Sequence, residues 1–184
     1  MTSTATEVCD DVVLVHSEER AIINAPVDQV DVFEWLSTLP DDEYQRCAPP
    51  DHLAGGWSST DDGRPMSINV EVVGGILVVQ HYVAEVHDAR HCHMVSLSDL
   101  QTPAGWTTAQ VIWDLSVTAI DANTCQYTNQ VVVNPTRAFL DALEVVGQSV
   151  EQTAADLQAA VSDHNRRETP LYAASIERKA LGPR

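Results

Sequence analysis

Apolar residues recur along this chain in two rhythms, and the change from one to the other outlines the fold. Residues 11–24 (DVVLVHSEERAIIN) read as a first strand. Ala25-Pro26 then places proline at the favoured first position of a helix running through VDQVDVFEWL, with Val27, Val30, Phe33 and Leu36 toward one side. A second short helix is predicted over residues 40–47 (PDDEYQRC), because Pro40 and the acids after it suit a helix N-terminus. Residues 48–63 are rich in Pro, Gly, Ser and Asp and read as a loop, long enough to carry function. His52 and Trp57 are its notable side chains.

From Arg64 the period drops to two. Met66, Ile68, Val70 and Val72 alternate with Ser67, Asn69 and Glu71, the pattern of a strand with one face in a core. Gly74-Gly75 is a two-residue hairpin signal. The strands ILVVQHYVAEVH, HCHMVSLSDL, WTTAQVIWDLSVTAI and TCQYTNQVVV follow, separated by turns at residues 88–90, 103–105 and 121–123.

The period then lengthens to that of a helix over residues 134–168. Stepping at 3.6 residues per turn from Phe139 lands on Leu143, Val146, Val150, Ala154, Leu157 and Val161, all apolar, and then on His164 and Glu168. Strands joined by tight turns form an antiparallel sheet, and the last helix must bury its stripe against that sheet's concave face. The prediction is an α+β fold in which a curved sheet holds a long C-terminal helix. It occupies residues 11–168, between a flexible N-terminus (1–10) and a C-terminal tail (169–184) with one or two further helical turns.

His164 and Glu168 are four residues apart and in phase with the apolar stripe, so they lie one above the other on the inward face. An inward polar pair at the end of a core helix suggests a lined pocket with metal-ligand chemistry. Zinc takes imidazole nitrogen and carboxylate oxygen at about 2.0–2.2 Å, and a catalytic site keeps a position for water. Further ligands would come from the sheet or the loop, with His52, Glu71, His81, Glu85, His91 and His93 as candidates. His81, Glu85 and His87 share one strand face, as do His91 and His93. The alternative is that His164 ends the helix, close to its carbonyls, while Glu168 pairs with an arginine such as Arg167.

Charge narrows the partners. The 184 residues carry a formal charge of −17, and the first 63 hold fourteen acidic side chains against Arg20 and Arg46. That balance speaks against nucleic acid and against an anionic membrane surface as partners. Five of the ten basic residues follow position 165, so the tail would dock on the acidic body or on a second subunit of a homodimer. The four cysteines form no C-x-x-C, the N-terminus lacks the basic start and apolar core of a signal peptide, and no apolar run reaches membrane-spanning length. A cytoplasmic protein with reduced thiols is the expectation. Nucleophilic chemistry has no G-x-S-x-G elbow to carry it, and Gly55-Gly56 and Gly74-Gly75 read as turns rather than phosphate loops.

The segment EERAIINAPVDQVDVFEWL, the strand meander and the closing NPTRAFLDALEVVG helix together resemble the START-like, helix-grip superfamily called SRPBCC, over roughly residues 12–165. Polyketide cyclases/aromatases, lipid-transfer domains and plant pathogenesis-related proteins belong to it. The resemblance implies an apolar cavity between sheet and last helix that binds a lipid, a polyketide or another aromatic small molecule. A cyclase/aromatase-like protein of polyketide or aromatic-compound metabolism is the leading expectation, with Glu71, His81 and Tyr82 as acid/base candidates. Trp57, Trp113, Tyr127 and Asn129 are the ligand-binding candidates, although core packing accounts for Trp113 equally well.

A narrower similarity lies in the C-terminal DHNRRETPLYAASIERKAL and the spacing His164-x-x-x-Glu168, which resembles the diacetylphloroglucinol/phloretin hydrolases. It implies a zinc-dependent hydrolase or lyase that cleaves a carbon–carbon bond, with His164 and Glu168 as two of its ligands. That family's other two ligands, a histidine and a glutamate, come from the body of the protein. A non-catalytic carrier of lipids or small molecules is the third reading.

Overall fold

Each period-two segment forms a strand, and one unpredicted strand joins them. In the computed structural model, which describes residues 4–182, the strands are β1 (Val15–Ile23), β2 (His52–Ser59), β3 (Pro65–Val73), β4 (Ile76–Asp88), β5 (His91–Thr102), β6 (Gly105–Ala119) and β7 (Cys125–Pro135). They make one antiparallel sheet in the order β1-β7-β6-β5-β4-β3-β2. The helices are α1 (Val32–Ser37), α2 (Asp41–Cys47), α3 (Arg137–Val146) and α4 (Val150–Leu181). The architecture is the predicted α+β helix-grip: a curved sheet around a long C-terminal helix.

The segment read as a loop, residues 48–63, contains the edge strand β2. Its alternation is masked because residues between Leu53 and Ser59 are exposed or half-buried on both faces. Gly55 is there for close approach, since a Cβ at that position would stand 2.8 Å from the Tyr44 ring on α2.

The stripe beginning at Phe139 spans two helices rather than one. Asn134 and Pro135 still belong to β7, and Thr136 caps α3 by accepting a hydrogen bond from the Phe139 N–H. Gly147, at φ 68°, ends α3 in the left-handed conformation, and Ser149 caps α4 through the Gln152 N–H. Val146, next to this break, is exposed although it keeps the apolar phase.

The tail expected from residue 169 is instead the continuation of α4 to Leu181. Pro170 removes one helical hydrogen bond, yet burial of Tyr172, Ala173 and Ile176 carries the helix through. Tyr172 meets the Trp35 ring edge-on at 5.1 Å, and Trp35 Nε1 donates to Ser175 Oγ at 2.9 Å. Arg178 reaches Glu43 at 2.6 Å and Lys179 reaches Glu34 at 3.5 Å, so the basic C-terminal segment docks on its own acidic body. At the other end, residues 7–9 of the expected flexible N-terminus are pinned. The Cys9 N–H donates to the Pro135 carbonyl and the Arg137 N–H to the Glu7 carbonyl, both at 2.9 Å. Residues 1–3 of that segment, and residues 183–184 of the tail, lie outside the described residues. Among the described residues, no helix is long and apolar enough to cross a membrane.

Gly74 and Gly75 turn the β3–β4 hairpin at φ 59° and 81°, and a Cβ on Gly74 would stand 2.7 Å from the Ala160 Cβ of α4. Gly74→Ala is therefore expected to lower stability by about 1–3 kcal/mol, through the left-handed backbone and the contact with the helix. Urea unfolding measures it, and an unchanged midpoint would show that α4 does not press on this hairpin.

Candidate functional site

The concave face of the sheet and the helices α3 and α4 line a pocket that opens to solvent. Most of its wall is aliphatic, with Val73, Val78, Val131, Leu157 and Val161 among the contributors, and Trp113 and Tyr172 supply aromatic surface. One end is polar. There Glu71 projects from β3, while His164 and Glu168 project from α4.

His52, the first residue of β2, completes this end. It is buried between α2 and α4, its ring stacked on Tyr44 at 3.9 Å with the planes 3° apart. Its Nε2 lies 3.2 Å from Glu168 Oε2 and 3.7 Å from Glu71 Oε1, while His164 Nε2 lies 3.4 Å from the same Glu168 oxygen. His52, Glu71 and His164 offer ligand atoms all within 4.8 Å of one another. Two nitrogens and two carboxylates from four points of the chain therefore converge on one locus.

Each of the four is oriented from behind. His52 Nδ1 faces the Tyr44 carbonyl at 2.7 Å, and His164 Nδ1 faces Asp51 Oδ2 at 2.9 Å. Both partners are acceptors, so each Nδ1 carries a proton and each Nε2 is turned inward toward the carboxyl groups. The Tyr44 hydroxyl donates to Glu71 Oε1 at 2.5 Å, and Asn129 Nδ2 donates to Glu168 Oε1 at 3.0 Å. Asn129 is itself held by Trp113, whose Nε1 donates to Asn129 Oδ1 at 2.8 Å. Asp51 also accepts from Arg167, which reaches Asp163 at 2.9 Å with its Nε.

Lone pairs aimed at carboxylates repel unless positive charge lies between them. Arg167 balances Asp51, which leaves Glu71 and Glu168 as two buried carboxyl groups facing two imidazoles. Burial alone would depress the His164 imidazole, but the carboxylates of Glu168, Glu71 and Asp51 push it up to about 10. Burial likewise opposes a charge on His52, and Glu168 and Glu71 again prevail and raise it. Burial would raise Glu168, yet His164 and then His52 hold it well below the usual carboxylate range. The locus thus attracts positive charge, from two protons or from one divalent cation. His52 Nε2 has no correctly directed hydrogen-bond partner. A tetrahedron with 2.0–2.1 Å bonds has edges of about 3.3 Å; the 3.2 and 3.4 Å separations around Glu168 match it, and the 3.7 Å between His52 and Glu71 is wider. Two imidazole nitrogens and carboxylate oxygens are ligand types that zinc takes.

The predicted residues divide by sheet face. Glu71, Tyr82, Trp113, His164 and Glu168 all line the cavity. His81 does not: its neighbours Gln80 and Tyr82 point inward, and the two-residue period turns His81 to the outer face. Trp57 lies on the edge strand with Nε1 bound to the Leu36 carbonyl at 2.8 Å and its ring against Phe33, away from the cavity. Tyr127 is fully buried and its hydroxyl has no partner, while Asn129 sits behind Glu168 as a positioning residue. Neither lines the cavity. Of the other ligand candidates, Glu85 is exposed, and His91 and His93 face outward with Asp114. The alternative pairing of Glu168 with Arg167 is not formed, and His164 lies mid-helix rather than at its end. Sequence reasoning missed Asp51 and Tyr44; their signal was adjacency to His52 and the acid-rich start of α2.

No family model matches the chain, and no curated protein matches it. Solved structures do. The chain is similar to the Zhui aromatase/cyclase from Streptomyces sp. R1128, at 17% identity and a TM-score of 0.67, covering 89% of this chain and 94% of that one. It is also similar to StfQ, the di-domain aromatase/cyclase of the steffimycin biosynthetic pathway (15% identity, TM-score 0.61), and to the di-domain BexL of the BE-7585A pathway (13%, 0.52). Those alignments cover 94% and 93% of this chain and 54% and 52% of the di-domain chains. The fold is the helix-grip fold seen in these aromatase/cyclase structures.

Asn129→Ala strips a partner from both Trp113 and Glu168 and is expected to cost about 3 kcal/mol. Tyr127→Phe removes a buried hydroxyl with no partner and is expected to be neutral or slightly stabilising. Chemical denaturation of both variants checks the pair; equal losses would contradict the hydrogen-bond assignment.

Proposed function

We propose that this protein binds a small apolar or aromatic molecule in the helix-grip cavity and cleaves it hydrolytically, with a zinc ion held by His52, Glu71, His164 and Glu168. The observation that carries this reading is the convergence of two inward imidazole nitrogens and two carboxylates, each backed by its own hydrogen bond, at the polar end of an apolar cavity. The His164-x-x-x-Glu168 spacing and its resemblance to zinc-dependent carbon–carbon hydrolases point the same way.

When bound, the cation supplies Lewis-acid polarisation of a substrate carbonyl and acidifies water. The chain's own groups do the rest. The aliphatic wall strips water from the substrate and strengthens every charge interaction at the polar end. Tyr82, fully buried, is pushed well above its usual range by burial, Glu71 and Glu168, so its hydroxyl keeps its proton. Gln80 Nε2 donates to Tyr82 Oη at 3.0 Å, which leaves that proton for an oxygen or a departing carbon of the substrate. Gln80 Oε1 is buried on the cavity floor with no partner, an acceptor suited to a hydroxyl on the bound molecule. In cleavage of a carbon–carbon bond beside a carbonyl, water gives its hydroxyl to the acyl carbon and a proton goes to the departing carbon.

A metal-free cyclase/aromatase-like reading has its own support, since Glu71 and Tyr82 face one cavity of the fold found in aromatase/cyclases. Metal content separates the two. The purified full chain is expected to carry one tightly held divalent ion by elemental analysis. Zn²⁺ should raise the melting temperature of the stripped protein by mass action, and His52→Ala and Glu168→Gln should remove the tightly held ion and most of the shift. Absence of metal, together with no melting shift from Zn²⁺ in the wild type, would overturn the zinc reading and leave the cyclase reading standing.

Occupancy of the cavity has a separate test. Leu157 lines it from α4, and Leu157→Trp fills the space. Binding of 2-naphthol, followed by fluorescence, is expected to weaken at least tenfold in that variant. Unchanged affinity would place the ligand elsewhere.

A further inference from the structure

His91, His93 and Asp114 are left unused by the site just described, because the sheet turns them to its opposite face. Their inward neighbours Cys92, Met94, Trp113 and Leu115 are buried in the core. The outward three meet above the middle of the sheet, on strands that have neighbours on both sides. His93 stands directly across from Asp114 in the β5–β6 register, and His91 is two residues before it on the same strand face.

The three side chains already converge. Asp114 Oδ2 lies 2.9 Å from His91 Nε2 and 2.8 Å from His93 Nδ1, and one ligand atom from each residue lies within 4.8 Å of the other two. The His91 backbone is fixed as well, since its N–H donates to Asp88 Oδ1 at 2.8 Å. Central strands and this turn hold the three groups in place, so little conformational entropy remains to be lost on binding an ion. The side chains of His91, His93 and Asp114 are 42%, 31% and 26% exposed, open to ions from solution without passage through the cavity.

We infer that His91, His93 and Asp114 form a second, outer-face site for a divalent transition-metal ion, with two imidazole nitrogens and one carboxylate as ligands and its remaining positions open to water. Two nitrogens select zinc, nickel or copper over magnesium or calcium, which take oxygen ligands. Being partly exposed and held by only three protein ligands, it binds more weakly than the four-residue locus and empties first on dialysis.

The inference stands independently of the proposed zinc hydrolase, and one titration separates them. Stripped full-length protein titrated calorimetrically with Zn²⁺ is expected to bind two equivalents, the weaker of which disappears in the double variant His91→Ala/His93→Ala. The variant's wild-type circular dichroism and melting temperature would exclude misfolding, as these side chains lie outside the core. Cu²⁺ added to His164→Ala protein should give an electron paramagnetic resonance spectrum with coupling to two nitrogens, lost on the same double substitution. A single equivalent removed by His52→Ala, or a weak equivalent that survives the double variant, would overturn the outer site. A single equivalent removed only by the double variant would support it and sink the inner one.

Discussion

Two carboxyl groups, Glu71 and Glu168, buried on either side of one imidazole, His52, are the constraint on which the rest of this molecule turns. An isolated buried carboxylate is strongly unfavourable, and the fold answers with hydrogen bonds from Tyr44 and Asn129 and with two imidazoles. Arg167, the nearest strong cation, is committed outward to Asp51 and Asp163. The field at the locus is therefore left asking for positive charge, at the end of a cavity that is otherwise aliphatic. An arrangement that served stability alone would use apolar residues of similar volume, which generally do as well or better. Paired groups kept there, each oriented by its own partner, are the ground on which the zinc proposal rests.

Much of the fold could be read from periodicity because burial on one face leaves a two-residue or 3.6-residue signature. It worked for β5, β6 and β7, whose inner positions are almost uniformly buried; on β3 it gave the strand but the wrong face, because the polar Ser67, Asn69 and Glu71 turn inward and Met66, Ile68, Val70 and Val72 stay half-buried outside. It failed for β2, an edge strand with exposed positions on both faces and two glycines. It also merged α3 with α4, because their stripes happen to stay in phase across Gly147 and Ser149; the local capping residues, rather than the apolar period, marked the break. Pro170 misled in the other direction. A proline signals a helix end only when burial beyond it is too small to offset one missing hydrogen bond, and Tyr172, Ala173 and Ile176 supply that burial.

The site was legible only as far as local geometry reaches. His164 and Glu168 sit one helical turn apart, so their shared direction follows from spacing alone. His52 and Glu71 are paired across the β2–β3 register, which exists only because residues 52–59 form a strand at all. Reading that stretch as loop left His52 as one candidate among several and hid its pairing with Glu71. The sheet's alternation sorts the remaining candidates without ambiguity once the register is known. Tyr82 faces in and His81 out, and His91 and His93 cannot join an inner site that Met94 and Trp113 wall off.

Edge placement of β2 gives the site a mechanical meaning. The strand pairs only with β3, and α2 packs over it, so its support comes from one side of the sheet. Asp51 and His52 at its start reach across to α4, where Asp51 meets His164 and Arg167 and His52 meets Glu168. Those contacts join the least supported strand to the helix that closes the cavity. Positive charge at the locus therefore does more than neutralise two carboxylates: it fastens the edge of the sheet to the gripped helix. One short segment, residues 51–52, thus carries both the second imidazole and the acceptor that orients the first.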